Sequence, residues 1–147
     1  MRQYTSRRIS IVEALADKLK DIDGTGAYRS SVAAVSPRLL LWDEVSEFPS
    51  IHLSPGQETR QYQGGGYKDR FMNVTIRCYV QTEDAQRALE ALLEDIETVI
   101  EFNSRLAYLD SLGATQHTQQ MSVITIDTDE GVLEPLGVGE MQIEIRY

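Results

Sequence analysis

The chain has one cysteine, Cys78, so no intrachain disulfide can form. A lone thiol fits assembly in a reducing cytoplasm. Long apolar runs are missing as well: no stretch approaches the roughly 18 residues of a membrane span. The opening MRQYTSRRIS carries charge with no apolar run behind it, which is not the pattern of a secretory signal. The expectation is a soluble protein with no membrane contact, intracellular unless something larger carries it out. Positive charge is scarce. Fourteen Lys and Arg stand against 23 Asp and Glu, a formal net charge of −9. Nucleic-acid binders draw affinity from clustered cations, so a grip on DNA is not expected. An acidic wall would instead keep a passing duplex from sticking.

What is present suits a folded body. Hydrophobic residues make up 41% and charged residues 25% of the 147 positions, ordinary for a globular chain and too apolar for intrinsic disorder. That length predicts a single domain over 1–147 able to bury roughly 68–70% of its unfolded surface.

Residues 6–22 predict a first helix, with Ile9, Val12, Leu15, Ala16, Leu19 and Ile22 as its apolar stripe and Thr5 or Ser6 as its cap. Arg29 to Val35 predicts a short strand, and Leu39 to Val45 is a second apolar run that can be a strand. Pro49 confines the strand Ser50 to Leu53 to a sheet edge or to a strand start. Residues 54–70 are polar and hold Gly64, Gly65 and Gly66. They predict a long mobile loop or the tip of an extended hairpin. Residues 71–81 predict the clearest strand, with Met72, Val74, Ile76, Cys78 and Val80 facing the core. Residues 83–102 predict the clearest helix, led by Thr82 and striped by Ala85, Leu89, Leu92, Leu93, Ile96, Val99 and Ile100. Residues 105–117 are ambiguous apart from a turn at Gly113. Residues 119–127 predict a strand with Met121, Val123 and Thr125 on one face. Residues 132–140 read as an irregular connector. A last strand, 140–147, places Met141, Ile143, Ile145 and Tyr147 on one face. This order predicts an α+β fold: an antiparallel or mixed β-sheet with two main helices packed on one face.

No catalytic or cofactor constellation emerges. The glycine run lacks the Lys and Ser or Thr of a phosphate loop and is followed by Tyr67, Lys68 and Asp69. His52 and His117 lie far apart, outside any metal-ligand spacing. Asp127 to Gly131 echoes the start of a calcium loop but lacks its later Gly and Glu, so an acidic turn accounts for it. Glu90, Glu94, Asp95 and Glu97 fall opposite the apolar stripe and read as a solvated face. Asp43, Glu44 and Glu47 form another acidic group. No Gly-x-Ser-x-Gly elbow is present, and Cys78 falls on a core face as a structural thiol. The reading is no enzyme, no cofactor and no metal.

Surfaces remain. Arg7 and Arg8, with Arg2, can meet phosphate or an acidic partner, or simply solvate a helix end. The 54–70 segment offers Tyr62 and Tyr67 with Arg60, Lys68 and Arg70. Tyr and Arg are the types that anchor protein interfaces. A disordered loop with incidental aromatics fits that composition equally well.

Several segments in order carry a resemblance. They are the helix of 6–22, Phe48-Pro49-Ser50-Ile51-His52-Leu53, Pro55-Gly56-Gln57-Glu58-Thr59 and the polar loop. The strand Phe71 to Val80 and Gln81-Thr82-Glu83-Asp84-Ala85 follow. Thr125 to Gly131, Pro135-Leu136-Gly137 and the closing Arg146-Tyr147 complete the set. Together they resemble the tail-terminator proteins, also called tail-completion or minor tail proteins, of long-tailed bacteriophages. The resemblance implies a β-sheet flanked by helices and a six-fold homo-hexameric ring on the last ring of the tail tube. That ring would stop tube polymerisation and give the head or neck connector a docking face. DNA would pass through its lumen without specific binding. The implied place is the head-proximal end of the virion tail, after assembly in the host cytoplasm. The competing readings are another head–tail joining or neck component, and a small enzyme or ligand-binding domain.

Overall fold

The computed structural model describes residues 6–147. Thr5 and Arg2, read above as a cap and as part of a basic start, lie outside them.

The first helix, α1 (Arg7–Leu19), begins where Ser6 Oγ accepts the Ile9 amide at 3.2 Å. Its buried stripe is Ile11, Val12, Leu15, Ala16 and Leu19. Ile9, placed in the stripe from its spacing, is 42% exposed, and Ile11 takes its place inside. The helix stops three residues short of Ile22, which is still fully buried.

The segment after α1 departs most from expectation. Residues 29–33 do not form a strand. The amides of Arg29 and Ser30 donate instead to the Asp95 carboxylate, at 3.0 and 2.7 Å. Backbone groups committed to a side chain are lost to a sheet ladder. Pairing is reduced to a bridge between Asp23 and Ser31 and the three-residue β1 (Ala34–Ser36). The same contacts correct the reading of Asp95, which is 1% exposed and not part of a solvated face. Leu39 to Val45 is not a strand either. It holds a short 3-10 turn, Trp42–Glu44, and its Leu40 carbonyl accepts the Tyr79 hydroxyl at 2.8 Å.

The sheet is built on two long strands, β2 (Ser50–Tyr62) and β3 (Lys68–Gln81), paired antiparallel. Pro49 stands just before β2, so its missing amide interrupts no ladder. The second helix, α2 (Ala85–Phe102), follows β3 and buries the whole stripe expected of it. Its first turn is served not by Thr82 but by Glu134, whose carboxylate accepts the Gln86 amide at 3.3 Å. The ambiguous region folds as a small hairpin, β4 (Ala107–Leu109) and β5 (Thr115–His117), with Gly113 at φ 81° in its turn. Two further strands, β6 (Gln120–Thr128) and β7 (Leu136–Arg146), complete the main sheet in the order β1-β2-β3-β7-β6. Only β1 and β2 run parallel, so the sheet is mixed. Both helices share one core with the face carrying Ile51, Leu53, Val74, Ile76, Met141 and Ile143. The fold is α+β with two helices packed on one face.

Two strand readings shift for physical reasons. A bulge between Val123 and Thr125 moves β6 by one residue, so Ile126, not Thr125, lies opposite the buried Met141. And β7 starts at Leu136 inside the expected connector, because Gly137 and Gly139 are packing positions and not breaks. A Cβ on Gly139 would sit 3.0 Å from Leu89 Cδ1 and 3.1 Å from Cys78 Sγ. Gly139→Val is therefore expected to cost about 1–3 kcal/mol through overpacking against α2, read as a lowered thermal midpoint with the same far-UV spectrum.

The face away from the helices is a polar ladder. Thr75 meets Gln142 at 3.1 Å, and Arg77 meets Glu140 at 3.1 Å.

Candidate functional site

The feature that stands off this body is the distal part of the β2–β3 hairpin. The last β3 residue paired with β7 is Phe71, opposite Arg146. Beyond it, β2 and β3 continue together from Thr59↔Phe71 through Arg60↔Arg70 and Gln61↔Asp69 to Tyr62↔Lys68. The Arg70 backbone still exchanges hydrogen bonds with Tyr147, so at about 3.3 Å per residue the two-stranded arm projects roughly 10 Å beyond it. It is closed by the Gly64–Gly66 turn, in which Gly65 and Gly66 take φ of 76° and 83° and the Gln63 amide donates to the Tyr67 carbonyl at 2.8 Å. Positive φ at both positions explains the glycines.

Register sorts the arm's side chains. Glu58 lies opposite the buried core residue Met72 and so faces the helix side. Counting outward by twos, Arg60, Arg70, Tyr62 and Lys68 fall on that same side. The Lys68 ammonium sits 5.8 Å from the Tyr62 ring centre, which agrees with that count. Tyr62 and Tyr67 are 74% and 76% exposed. Four of the seven residues singled out in the sequence thus share one face of the arm, with Tyr67 at its tip.

Arg7 and Arg8 are elsewhere and already engaged. They reach from the start of α1 to the root of the arm, where a brace centres on Glu58. The Glu58 carboxylate receives the Tyr147 hydroxyl, Arg60 Nε at 2.6 Å and Arg8 Nε at 3.6 Å, and its side chain is only 7% exposed. Arg8 also donates to the Gly56 carbonyl at the bulge between Pro55 and Glu58. The Tyr147 ring has the Arg7 guanidinium at 5.3 Å and that of Arg70 at 5.5 Å, distances at which cation–π attraction operates. Arg7 donates on to the Tyr108 hydroxyl at 2.8 Å. On the opposite face, Arg146 holds Asp69 at 2.9 Å. These contacts fix the direction of the arm relative to the core.

Burial pushes the Glu58 carboxyl up, but the Tyr147 and Arg60 hydrogen bonds and the charges of Arg60 and Arg8 outweigh it and leave it below its ordinary 4.5. Tyr147 goes the other way. Burial first, then the Glu58 carboxylate, push its phenol up to about 12. The signs set two limits for the brace. Glu58, lowered on folding, contributes stability present above its unfolded value and lost as pH falls through the folded one. Tyr147, raised on folding, contributes stability present below its ordinary value of 10 and lost as pH rises toward 12. Arm amides are expected to lose protection between pH 10 and 12 over and above the rise in base-catalysed exchange that every amide shows. Tyr147→Phe should abolish that pH-dependent step. Exchange unchanged by the substitution would show that the arm does not depend on Tyr147.

A second surface lies on the far flank of the sheet. Between α2 and β6 runs a groove of about 450 Å³, with Leu93 and Ile126 among its apolar lining and Glu90, Glu94, Glu97 and Glu101 among its acidic lining. Glu94 pairs with Arg29 at 2.6 Å; no ion pair within the described residues engages Glu90, Glu97 or Glu101. Ile124 and Ile126 on β6 are 55% and 44% exposed.

Among the described residues no three or more His, Cys, Asp and Glu gather as a metal site would require. Cys78 is fully buried, and burial pushes its thiol up to about 12. The sequence reading missed Glu58 and Tyr147 as a pair. They lie 89 positions apart, and only the register of β2 against its neighbours joins them.

Known proteins of similar fold or sequence bear on this arm-bearing chain. The chain is 33% identical to the tail tube terminator protein of Escherichia phage T5 over 149 aligned residues, 95% of this chain and 92% of that one. Its fold matches a chain from the virion of a native gene transfer agent particle with a TM-score of 0.57, over 93% of each chain at 9% identity. The family model described as Bacteriophage Tail Tube Terminator Protein matches residues 5–147. This chain belongs to the bacteriophage tail tube terminator family, as a structural virion protein.

Proposed function

We propose that this protein ends growth of the tail tube by capping it as a closed ring of six copies. The family match along nearly the whole chain carries the reading. The braced arm supports it, because a closed ring needs a head-to-tail contact between unlike surfaces, and an arm projecting from one flank supplies one. In this reading one ring face meets the tube protein and the other gives the head or neck connector its docking surface. The site of action is the head-proximal end of the virion tail, and assembly takes place in the host cytoplasm. DNA passes through the centre unheld, consistent with a net charge of −9. The work is done by association between folded subunits and not by turnover of a substrate.

Tail length is the test. Tube protein assembled without this chain should give tubes without a fixed end. Adding it should stop elongation, with a ring bearing a central hole visible at one end by negative stain. A protein that stays monomeric and never binds tubes would refute the proposal.

A further inference from the structure

The arm and the α2–β6 groove match each other in four respects. First, both flanks of the sheet present unpaired backbone. β1 covers β2 only from Ser50 to His52, and within the described residues no strand covers the outer edge of β6. Second, the strand directions agree. The steps β2 to β3, β3 to β7 and β7 to β6 are all antiparallel, so β6 runs opposite to β2. Setting β2 of one copy beside β6 of another continues the alternation without turning either copy over. Third, the charges oppose. The arm's helix-side face holds Lys68 and Arg70 beside Arg60, which Glu58 already holds, and the groove carries Glu90, Glu97 and Glu101 beside Glu94, which Arg29 already holds, on the same side of the sheet. Fourth, the apolar parts correspond. Tyr62 and Tyr67 are exposed on the arm, and Ile126 and Leu93 line the groove. Within one copy β3 and β7 separate the two surfaces, so an arm cannot reach its own groove.

We infer that the arm of one copy docks in the α2–β6 groove of the next. The outer edge of β2, from Gln57 to Tyr62, lies along β6, and the basic face of the arm lies on the acidic flank of α2. The inference rests on the ring reading and names the surfaces that close it. Strand addition supplies main-chain affinity and the side chains set register. The occupant is a second copy of this chain, since an acidic groove repels nucleic acid.

The test uses charge reversal and cross-linking, on rings in solution or seated on tubes. Lys68→Glu or Glu97→Lys alone should lower the assembled fraction about tenfold at fixed concentration, and the two together in one chain should restore most of it. Cys78 is fully buried, so introduced cysteines react alone. A mixture of Tyr62→Cys and Glu97→Cys chains, treated with a short bismaleimide, should give a dimer that neither variant gives by itself. Rings without the mixed dimer, or Tyr62→Cys linking to tube protein instead, would overturn this contact and leave capping intact. Failure of the unaltered chain to form rings in either setting would overturn the capping function itself.

Discussion

Replacing residues 61–69 by Asn-Gly, so that Arg60 and Arg70 flank a two-residue turn, should leave the fold standing and abolish assembly. The cut follows the register, since Arg60 and Arg70 are already cross-strand partners. Asn-Gly closes such a pair in a tight hairpin turn. Glu58, Arg60, Arg8 and Tyr147 all lie outside the replaced stretch, so the Glu58 brace is kept and only the Asp69–Arg146 pair is lost. No buried side chain is removed, so the thermal midpoint should move by only a few degrees. Tyr62, Tyr67 and Lys68 are lost together. Aromatic anchors at interfaces are commonly worth about 2 kcal/mol or more each, so losing two should weaken association by roughly 1,000-fold. Sedimentation would read the loss of the larger species, and tubes would run long. Unfolding of the shortened chain would mean that the arm is part of the core. Undiminished ring formation would exclude the arm from assembly.

The second large effect is expected far from the arm. Asp95→Ala removes the acceptor that holds the Arg29 and Ser30 amides. Two backbone donors in a packed loop then lose their partner, at about 1–3 kcal/mol each. A total near 3 kcal/mol should lower the melting temperature by roughly 6–12 °C in a chain of this size. Asp95→Asn keeps one acceptor oxygen and should lose about half as much. A midpoint shifted by less than a degree in the Ala variant would show that the loop finds other partners at no cost.

Asp95 also shows where sequence reading stops. Its position on α2 obeys the polar side of the helical period, and only the loop folded over it makes it internal. The period itself was dependable where many residues voted together. All seven stripe residues of α2 are buried, as are the five core-side residues of β3. Met141, Ile143 and Ile145 of β7, and Tyr147 just beyond its end, are buried as their alternation predicts. Reading failed where a single residue carried the decision. The bulge in β6 exchanges Thr125 for Ile126, and two glycines that resemble a break admit α2 to the sheet. Leu39 to Val45 is apolar yet leaves Leu41 and Trp42 60% and 63% exposed, a cost no periodicity discloses. At the arm, composition identified the tyrosines and cations. Their common face depends on cross-strand register, and the root depends on contacts between distant segments.

Separating the arm's cations from the acidic flank of α2 also affects timing. Each copy carries −9 in formal charge, so two copies meeting at random repel one another. At physiological salt that repulsion and any local attraction both fade beyond about 8 Å. On the proposed contact, approach should succeed only when basic tip meets acidic flank, and most encounters would be wasted. A dilute pool of such subunits stays dispersed, whereas a surface that holds several copies side by side in one orientation removes the orientational search. On the proposed arm-to-groove contact, nucleation should be slow in free solution and fast on a template, so that caps would not accumulate before there is a tube to finish.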